Sequence, residues 1–292
     1  MAVVTDSTAD LPPWLVRERG LTVVPLTVIM GGRGYLDGVE ITAAEFYERI
    51  AAPGATATTS QPAPGAFQEV YDQLLADHDE VVSVHISSRL SYSAAVQGVE
   101  LAGATPRVRV IDSGLVSMPL ALHVLAAAAL AEGGADARTI VDRLQDLRRR
   151  TRVYFMVGTL EYLRRGGRIG RASALLGSVL QVKPVLTIED GQVAPLERVR
   201  TQDRALARVV ELAARNEGQD GGQLCAIVGH AVSEGPAERI ADALESRAES
   251  LLVLPLGPVV GAHAGPGTVG VGVYPAEMMP LALRRLTSAS AS

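Results

Sequence analysis

The sequence predicts an α/β protein of two domains. The first is built on a mostly parallel sheet with helices on both faces, and the second is an α/β domain with an antiparallel sheet. Three observations carry this. Strand-like apolar runs alternate with helical periodicity through the first half, the pattern of a parallel sheet covered by helices. After residue 150 the pattern changes: residues 185–188 and 192–199 flank Glu189-Asp190-Gly191, a β-hairpin with an Asp-Gly turn. The chain has 292 residues, 48% hydrophobic and 20% charged, enough for two domains with real cores. The boundary falls near residue 150, giving domains 1–150 and 151–292.

The elements follow in order. Residues 2–4 read as a short buried strand, followed by the polar turn Thr5-Asp6-Ser7-Thr8. Pro12 and Pro13 open a short helix that Gly20 ends. Residues 21–30 are mostly β-branched and read as one strand, with the turn GGRG after it. Thr42 and Glu45 form a capping box for a helix over 43–51. The small residues of 52–65 read as a loop, and Phe67, Val70, Tyr71 and Leu74 mark a helix over 66–76. Then come strand 81–86, helix 91–103, strand 108–111, a long Ala/Leu helix from about Leu115, and a helix from about Asp136 ending in Arg148-Arg149-Arg150. The second half reads as strand 153–157, the hairpin, helix 202–214, strand 224–229, helix 236–247 and strand 251–256. A glycine-rich segment, 257–270, leads to a final strand near 268–274.

Composition excludes several functions. A formal charge of −5 argues against a nucleic-acid partner held by a broad basic surface. The first residues have no basic region and no long apolar run, and the longest apolar stretch, 121–131, is too short to span a bilayer and carries His123. A lone Cys225 inside LCAIV reads as core filler and points weakly to the cytoplasm. No phosphate loop, HExxH or GxSxG is present, and no GxGxxG follows the first strand. His78, His85, His123, His230 and His263 are scattered without metal-ligand spacing, so no metal and no cofactor is expected.

Four constellations remain. Thr58-Thr59-Ser60-Gln61-Pro62 puts hydroxyls in the small-residue segment; a plain solvated loop is the structural alternative. Ser87, Ser88, Ser91 and Ser93 follow a strand and open a helix, where serines cap and backbone N–H groups can seat an anion. In residues 257–267, GPVVGAHAGPG, four glycines and two prolines set an unusual backbone path around His263; a structural turn is the alternative. Eight arginines fall between 148 and 171, a concentration that suits an acidic partner or a phosphate, or an ordinary solvated helix end.

Taken together, DSTADLP (6–12), YLDGVEI (35–41), TSQP (59–62), the region after HISS, VIDS (110–113), YFMVGTLEYLRRGGRIG (154–170), KPVLTIEDGQV (183–193), ERVRT (197–201) and GPVVGAHAGPG (257–267) resemble the DegV family of bacterial fatty-acid-binding proteins. The resemblance spans nearly the whole chain in order. It implies a long-chain fatty acid in a tunnel between two domains, with its carboxylate held by hydroxyls of the TSQP loop and of the turn after HISS. It further implies presentation of that carboxylate to a separate ATP-dependent kinase subunit, giving an acyl phosphate. By motif, the carboxylate residues are Thr59, Ser60, Ser91 and Ser93 with His263 nearby, and Arg168 compensates phosphate charge. One departure stands out: the family usually has LSGT followed by an aromatic, and here Leu90-Ser91-Tyr92-Ser93 puts a tyrosine beside the head-group serine.

The chemistry is consistent with this. Burying about 16 carbons at ~0.8 kcal/mol per CH₂ supplies on the order of 12 kcal/mol before binding costs. The hydroxyls are then expected to hold a carboxylate, not to attack anything. Two other readings are kept: a small esterase or thioesterase using Ser91 and His263, and lipid storage or transport without a kinase.

Overall fold

The computed structural model describes residues 1–86, 91–176, 183–215 and 222–278. The first part runs β1 (Ala2–Asp6), α1 (Pro13–Glu18), β2 (Leu21–Val24), β3 (Thr27–Met30), β4 (Arg33–Leu36), α2 (Ala43–Ile50), β5 (Ala57–Ser60), α3 (Pro64–Asp77), β6 (Val81–His85), α4 (Ser91–Leu101), β7 (Val108–Asp112), α5 (Met118–Glu132) and α6 (Ala137–Arg150). The second runs β8 (Arg152–Met156), α7 (Glu161–Arg165), β9 (Lys183–Glu189), β10 (Gln192–Val199), α8 (Gln202–Arg215), β11 (Leu224–His230), α9 (Glu234–Leu244), β12 (Ala248–Pro255), α10 (Pro258–Ala264) and β13 (Val269–Pro275).

A parallel sheet has the order β2-β1-β6-β7. All five residues of β1 and of β6 are buried, as expected where helices cover both faces. α3 and α4 cover one face, α5 and α6 the other. The stretch read as one strand over 21–30 is two strands. Pro25 lacks an N–H for a ladder, and the chain leaves the parallel sheet there. β3 instead joins β4 and β5 in an antiparallel sheet of order β4-β3-β5. The supposed loop over 52–65 therefore contains a strand, and Thr59 sits in it opposite Val28.

The second part builds a sheet of order β10-β9-β8-β13-β11-β12, antiparallel except for the β11–β12 pair. Its hairpin turns at Asp190 (φ 51°) and Gly191 (φ 72°), the left-handed pair that an Asp-Gly turn of this kind requires. α5 is buried on every side from Met118 to Ala129 and packs against strands of both large sheets, which explains its all-round apolar sequence. Its one imidazole, His123, bonds Thr151 at 2.9 Å. Burial, with a smaller push from the Arg148 charge, holds His123 down at about 3.

Candidate functional site

A cavity of about 560 Å³ is walled by residues of the β4-β3-β5 sheet, of the second part's sheet and of α10, and by Thr8 and Ile86, which follow β1 and β6 of the parallel sheet. Most of the wall is aliphatic or aromatic, including Leu26, Ile86, Val153, Phe155, Val193 and Val259. Thr59, Gln61, Arg168 and His263 gather polar groups on the same wall. Side chains project alternately from a strand, so β5 sends Thr59 inward and leaves Thr58 and Ser60 exposed.

α10 brings His263 to Thr59. Two acids stand at its first turn: the Gly257 N–H donates to Asp10 Oδ1 at 2.9 Å, and the Val259 N–H favours the charged form of Asp37. Asp10 also accepts from Ser117 Oγ at 2.5 Å and adopts φ 53°, a left-handed conformation that Asp tolerates. Burial raises Asp10 well above the usual carboxylate range, and burial raises Asp37 to about 7 against the hydrogen bonds that favour its charge. α10 ends at Gly265 (φ 78°), where any Cβ would lie 2.3 Å from the Tyr162 ring. His263 then packs directly on the α7 C-terminal turn: a Cβ on Gly166 would stand 2.1 Å from His263 Nδ1. These contacts give the glycines of RRGGRIG and GAHAGPG a physical reason.

His263 Nε2 and Thr59 Oγ1 are 2.8 Å apart, while His263 Nδ1 is buried without a partner. Burial, and next the positive charge of Arg168, depress the imidazole to about 4, so it is neutral at pH 7. A neutral ring carries one N–H. With the proton on Nδ1, a buried donor is orphaned; with the proton on Nε2, only an acceptor is left unpaired, the less costly defect. On this ground the proton is assigned to Nε2. His263 then donates to Thr59, and the Thr59 hydroxyl keeps its own proton for something in the cavity.

Arg168 is exposed and also lines the cavity, so the cavity reaches the surface at this end. It donates to the Gly166 carbonyl at 2.7 Å, and no carboxylate pairs with it among the described residues. Its neighbours differ. Arg164 and Arg165 are drawn to Glu161, Arg171 to Glu189 and Arg149 to Asp146.

The remaining expected residues are placed as follows. Ser60 is exposed, lies off the cavity wall and donates to the Gln61 carbonyl at 3.3 Å. Ser91 begins α4; it is fully buried, lies off the cavity wall, and its Oγ has no hydrogen-bond partner among the described residues. Ser93 lies half-buried two residues further on, within the first turn and beside Tyr92. Ser87 and Ser88 lie outside the described residues. No hydrogen bond joins Ser91 to His263 as a hydrolase pair requires: Ser91 Oγ and His263 Nδ1 are each without a partner among the described residues, and His263 Nε2 faces Thr59. Sequence reasoning missed Gln61, Thr8 and Ser117 as cavity residues. Gln61 stood inside the TSQP motif and was within reach; Thr8 and Ser117 come from turns whose meeting only the fold reveals. Among the described residues, no group of three or more His, Cys, Asp or Glu side chains could hold a metal ion, and no helix is long and apolar enough to cross a membrane.

Known proteins resemble the chain along nearly its whole length. The profile of the DegV family, described as uncharacterised proteins, matches residues 1–276. A DegV domain-containing protein of Halalkalibacterium halodurans is 41% identical over 285 residues, covering 94% of this chain and 98% of that protein. The fold is similar to that of a Thermus thermophilus DegV family protein described as fatty acid binding, with a TM-score of 0.86, 38% identity, and 94% and 99% of the two chains covered. It is also similar to Bacillus subtilis DegV, described as a fatty acid binding protein, with a TM-score of 0.83, 31% identity, and 94% and 98% covered. The chain belongs to the DegV family.

Proposed function

We propose that this protein binds one long-chain fatty acid in the cavity and presents its carboxylate, at the Thr59–His263 end, to a separate ATP-dependent kinase subunit in the cytoplasm. The observation that carries the reading is the pairing of Thr59 with a neutral His263 on the wall of a mostly apolar cavity. That pairing leaves a hydroxyl proton free to donate to an anion, with the Arg168 charge on the same wall. The size is consistent. A cavity of about 150 Å³ accommodates the six carbons of benzene, roughly 25 Å³ per carbon. At that rate 560 Å³ has room for about 20 heavy atoms, a C16–C18 acid. The fatty-acid-binding descriptions of the Thermus and Bacillus relatives support the same ligand class.

The walls support a division into domains 1–150 and 151–292 with the ligand between them. Thr8, Thr59 and Ile86 come from the first part, and Phe155, Val193 and His263 from the second. Thr59 is the primary donor. The buried, unpartnered Ser91 hydroxyl supports a second donor from the start of α4, with Ser93 behind it and Ser60 outside the direct contact. In the transfer step a carboxylate oxygen forms a bond to the γ-phosphorus of ATP held by the kinase. The bond from that phosphorus to the β,γ-bridging oxygen breaks, and ADP leaves. Arg168, exposed and without a carboxylate partner, offsets charge as phosphate approaches.

Competition binding tests the reading. A C16 acid is expected to bind more tightly than its methyl ester or the matching alcohol, because only the acid brings an anion to Thr59. Equal affinities for all three would remove Thr59 as an anion seat.

A further inference from the structure

Behind the Thr8–Ile86 wall of the cavity runs a buried chain of hydrogen bonds that the proposed binding does not use. Tyr71 OH lies 2.9 Å from Ser83 Oγ, Ser83 Oγ lies 2.6 Å from His85 Nε2, and His85 Nδ1 lies 2.9 Å from Asp6 Oδ2. Asp6 Oδ2 also accepts the Ile86 N–H at 3.2 Å. Its Oδ1 accepts the Thr8 N–H at 3.1 Å and the Thr8 hydroxyl at 2.5 Å. Asp6, Tyr71, Ser83 and His85 are all 0% exposed.

The proton directions follow from counting donors. Asp6 accepts from four groups, about the number of lone-pair sites a carboxylate offers. His85 Nδ1 is therefore the donor to Asp6. A chain running Tyr71 to Ser83 to His85 to Asp6 leaves no donor unpaired; the reverse direction would leave the Tyr71 hydroxyl proton without an acceptor. The arrangement superficially resembles a hydrolase triad. Ser83, however, is fully buried, is bonded on both sides and is not part of the cavity wall, so no substrate reaches it.

The two ends that Asp6 ties together, Thr8 and Ile86, are both cavity residues. Thr8 spends its hydroxyl proton on Asp6, so its oxygen has only lone pairs left for a neighbour. Lone pairs repel a carboxylate. We infer that Asp6 and His85 are positioning residues for the ligand head group: they orient the Thr8 hydroxyl away from donating into the cavity, pin the chain at Ile86, and so direct the anionic end of the ligand to Thr59. This rests on the fatty-acid reading and adds to it a device that sets which way the ligand lies.

Binding of a C16 acid and its methyl ester, measured together with the thermal midpoint, tests this with three variants. His85→Gln places its amide near Ser83 and leaves Asp6 one donor short; with Ile86 no longer pinned, the acid is expected to lose its bond from Thr59, which lowers the acid-to-ester affinity ratio about tenfold. His85→Asn places an N–H where Nδ1 stood and is expected to rescue most of the ratio. Tyr71→Phe, at the far end of the chain, is expected to lower the midpoint and leave the ratio as it was. A His85→Gln protein as selective as wild type overturns the inference. So does a set in which all three variants lose selectivity in step with their midpoints, the mark of a core histidine and nothing more. Should His85→Gln not fold, Thr8→Val carries the test: it keeps the His85–Asp6 bond and removes only the hydroxyl. With the repelling lone pairs gone, the acid is expected to bind no more weakly but to lie both ways, read as two sets of His263 signals by NMR of the complex; a single set, as in wild type, overturns the inference. A wild type that binds acid and ester alike overturns the Thr59 seat itself, whereas a selective wild type with an equally selective His85→Gln overturns this inference alone.

Discussion

Replacing Thr59 by Val removes one hydroxyl and keeps the side-chain volume and the β-branched shape that suits its strand. Thr59 is half-buried on β5, and its one side-chain partner is His263 at 2.8 Å. In the free protein the substitution leaves His263 Nε2 unpaired beside an Nδ1 that already has no partner. That cost falls on free and bound protein alike and largely cancels in affinity. What does not cancel is the bond from Thr59 to the ligand carboxylate. A hydrogen bond to a charged acceptor contributes ~1.5–3 kcal/mol. At 1.4 kcal/mol per tenfold, affinity for a long-chain acid is expected to fall roughly tenfold to a hundredfold. The methyl ester of the same acid buries the same chain and meets Thr59 with a weak acceptor, so its affinity is expected to change less than about threefold. Thr59→Ser, which restores the hydroxyl, is expected to recover most of the loss. The assay is calorimetric or fluorescence titration of acid and ester against the three proteins. A Thr59→Val protein that loses acid and ester equally would show that the hydroxyl serves packing and not the carboxylate.

Further outcomes follow from the same geometry. Ser91→Ala is expected to weaken acid binding by a similar factor, and its double variant with Thr59→Val is expected to be less than additive by titration, since both would donate to one carboxylate. Bound carboxylate favours the charged imidazole, so histidine NMR titration is expected to show His263 rising from about 4 when acid binds, and rising in the free protein when Arg168 is replaced by Ala. Arg168→Ala is expected to change acid affinity less than about threefold and to lower acyl-phosphate formation sharply once a kinase is supplied, measured as ADP released. Gly166→Ala puts a methyl 2.1 Å from His263 Nδ1 and is expected to cost ~1–3 kcal/mol in unfolding experiments and to weaken acid binding by displacing the ring. His263 and His123 take up protons in the unfolded chain near pH 6.5 but in the fold only near 4 and 3, so their contribution to stability is complete above about 6.5 and is lost as pH falls. Asp37, raised to about 7, acts oppositely: its contribution is lost as pH rises from about 4 to 7. Asp37→Asn is therefore expected to cost less stability at pH 8 than at pH 5 in denaturant melts.

The features legible in the sequence are those set by neighbours along the chain. The Thr42–Glu45 capping box closes both ways, with the Thr42 N–H on Glu45 at 2.9 Å and the Glu45 N–H on Thr42 at 3.3 Å. The Asp190-Gly191 turn and the fully buried β6 are equally local. Pro25 marks a break in the sequence, but the β-branched residues on both sides favour strand and hide it. The antiparallel β4-β3-β5 sheet could not be read: β5 is four polar or small residues, and only pairing with β3 makes it a strand. For the site, motif resemblance indicated Thr59 and His263, and strand alternation separates Thr59 from Ser60. The segment around His263 was legible as an unusual path, but not as the helix α10 met at its first turn by Asp10 and Asp37, which lie more than 200 residues away in sequence.

The most direct measurement is the mass of the protein as purified. Native mass spectrometry, paired with an organic extract of the same sample, is predicted to show one long-chain fatty acid per chain, of a size near C16–C18, lost on denaturation. A native mass equal to that of the bare chain, with no fatty acid in the extract and no uptake of added acid, would contradict the proposed function.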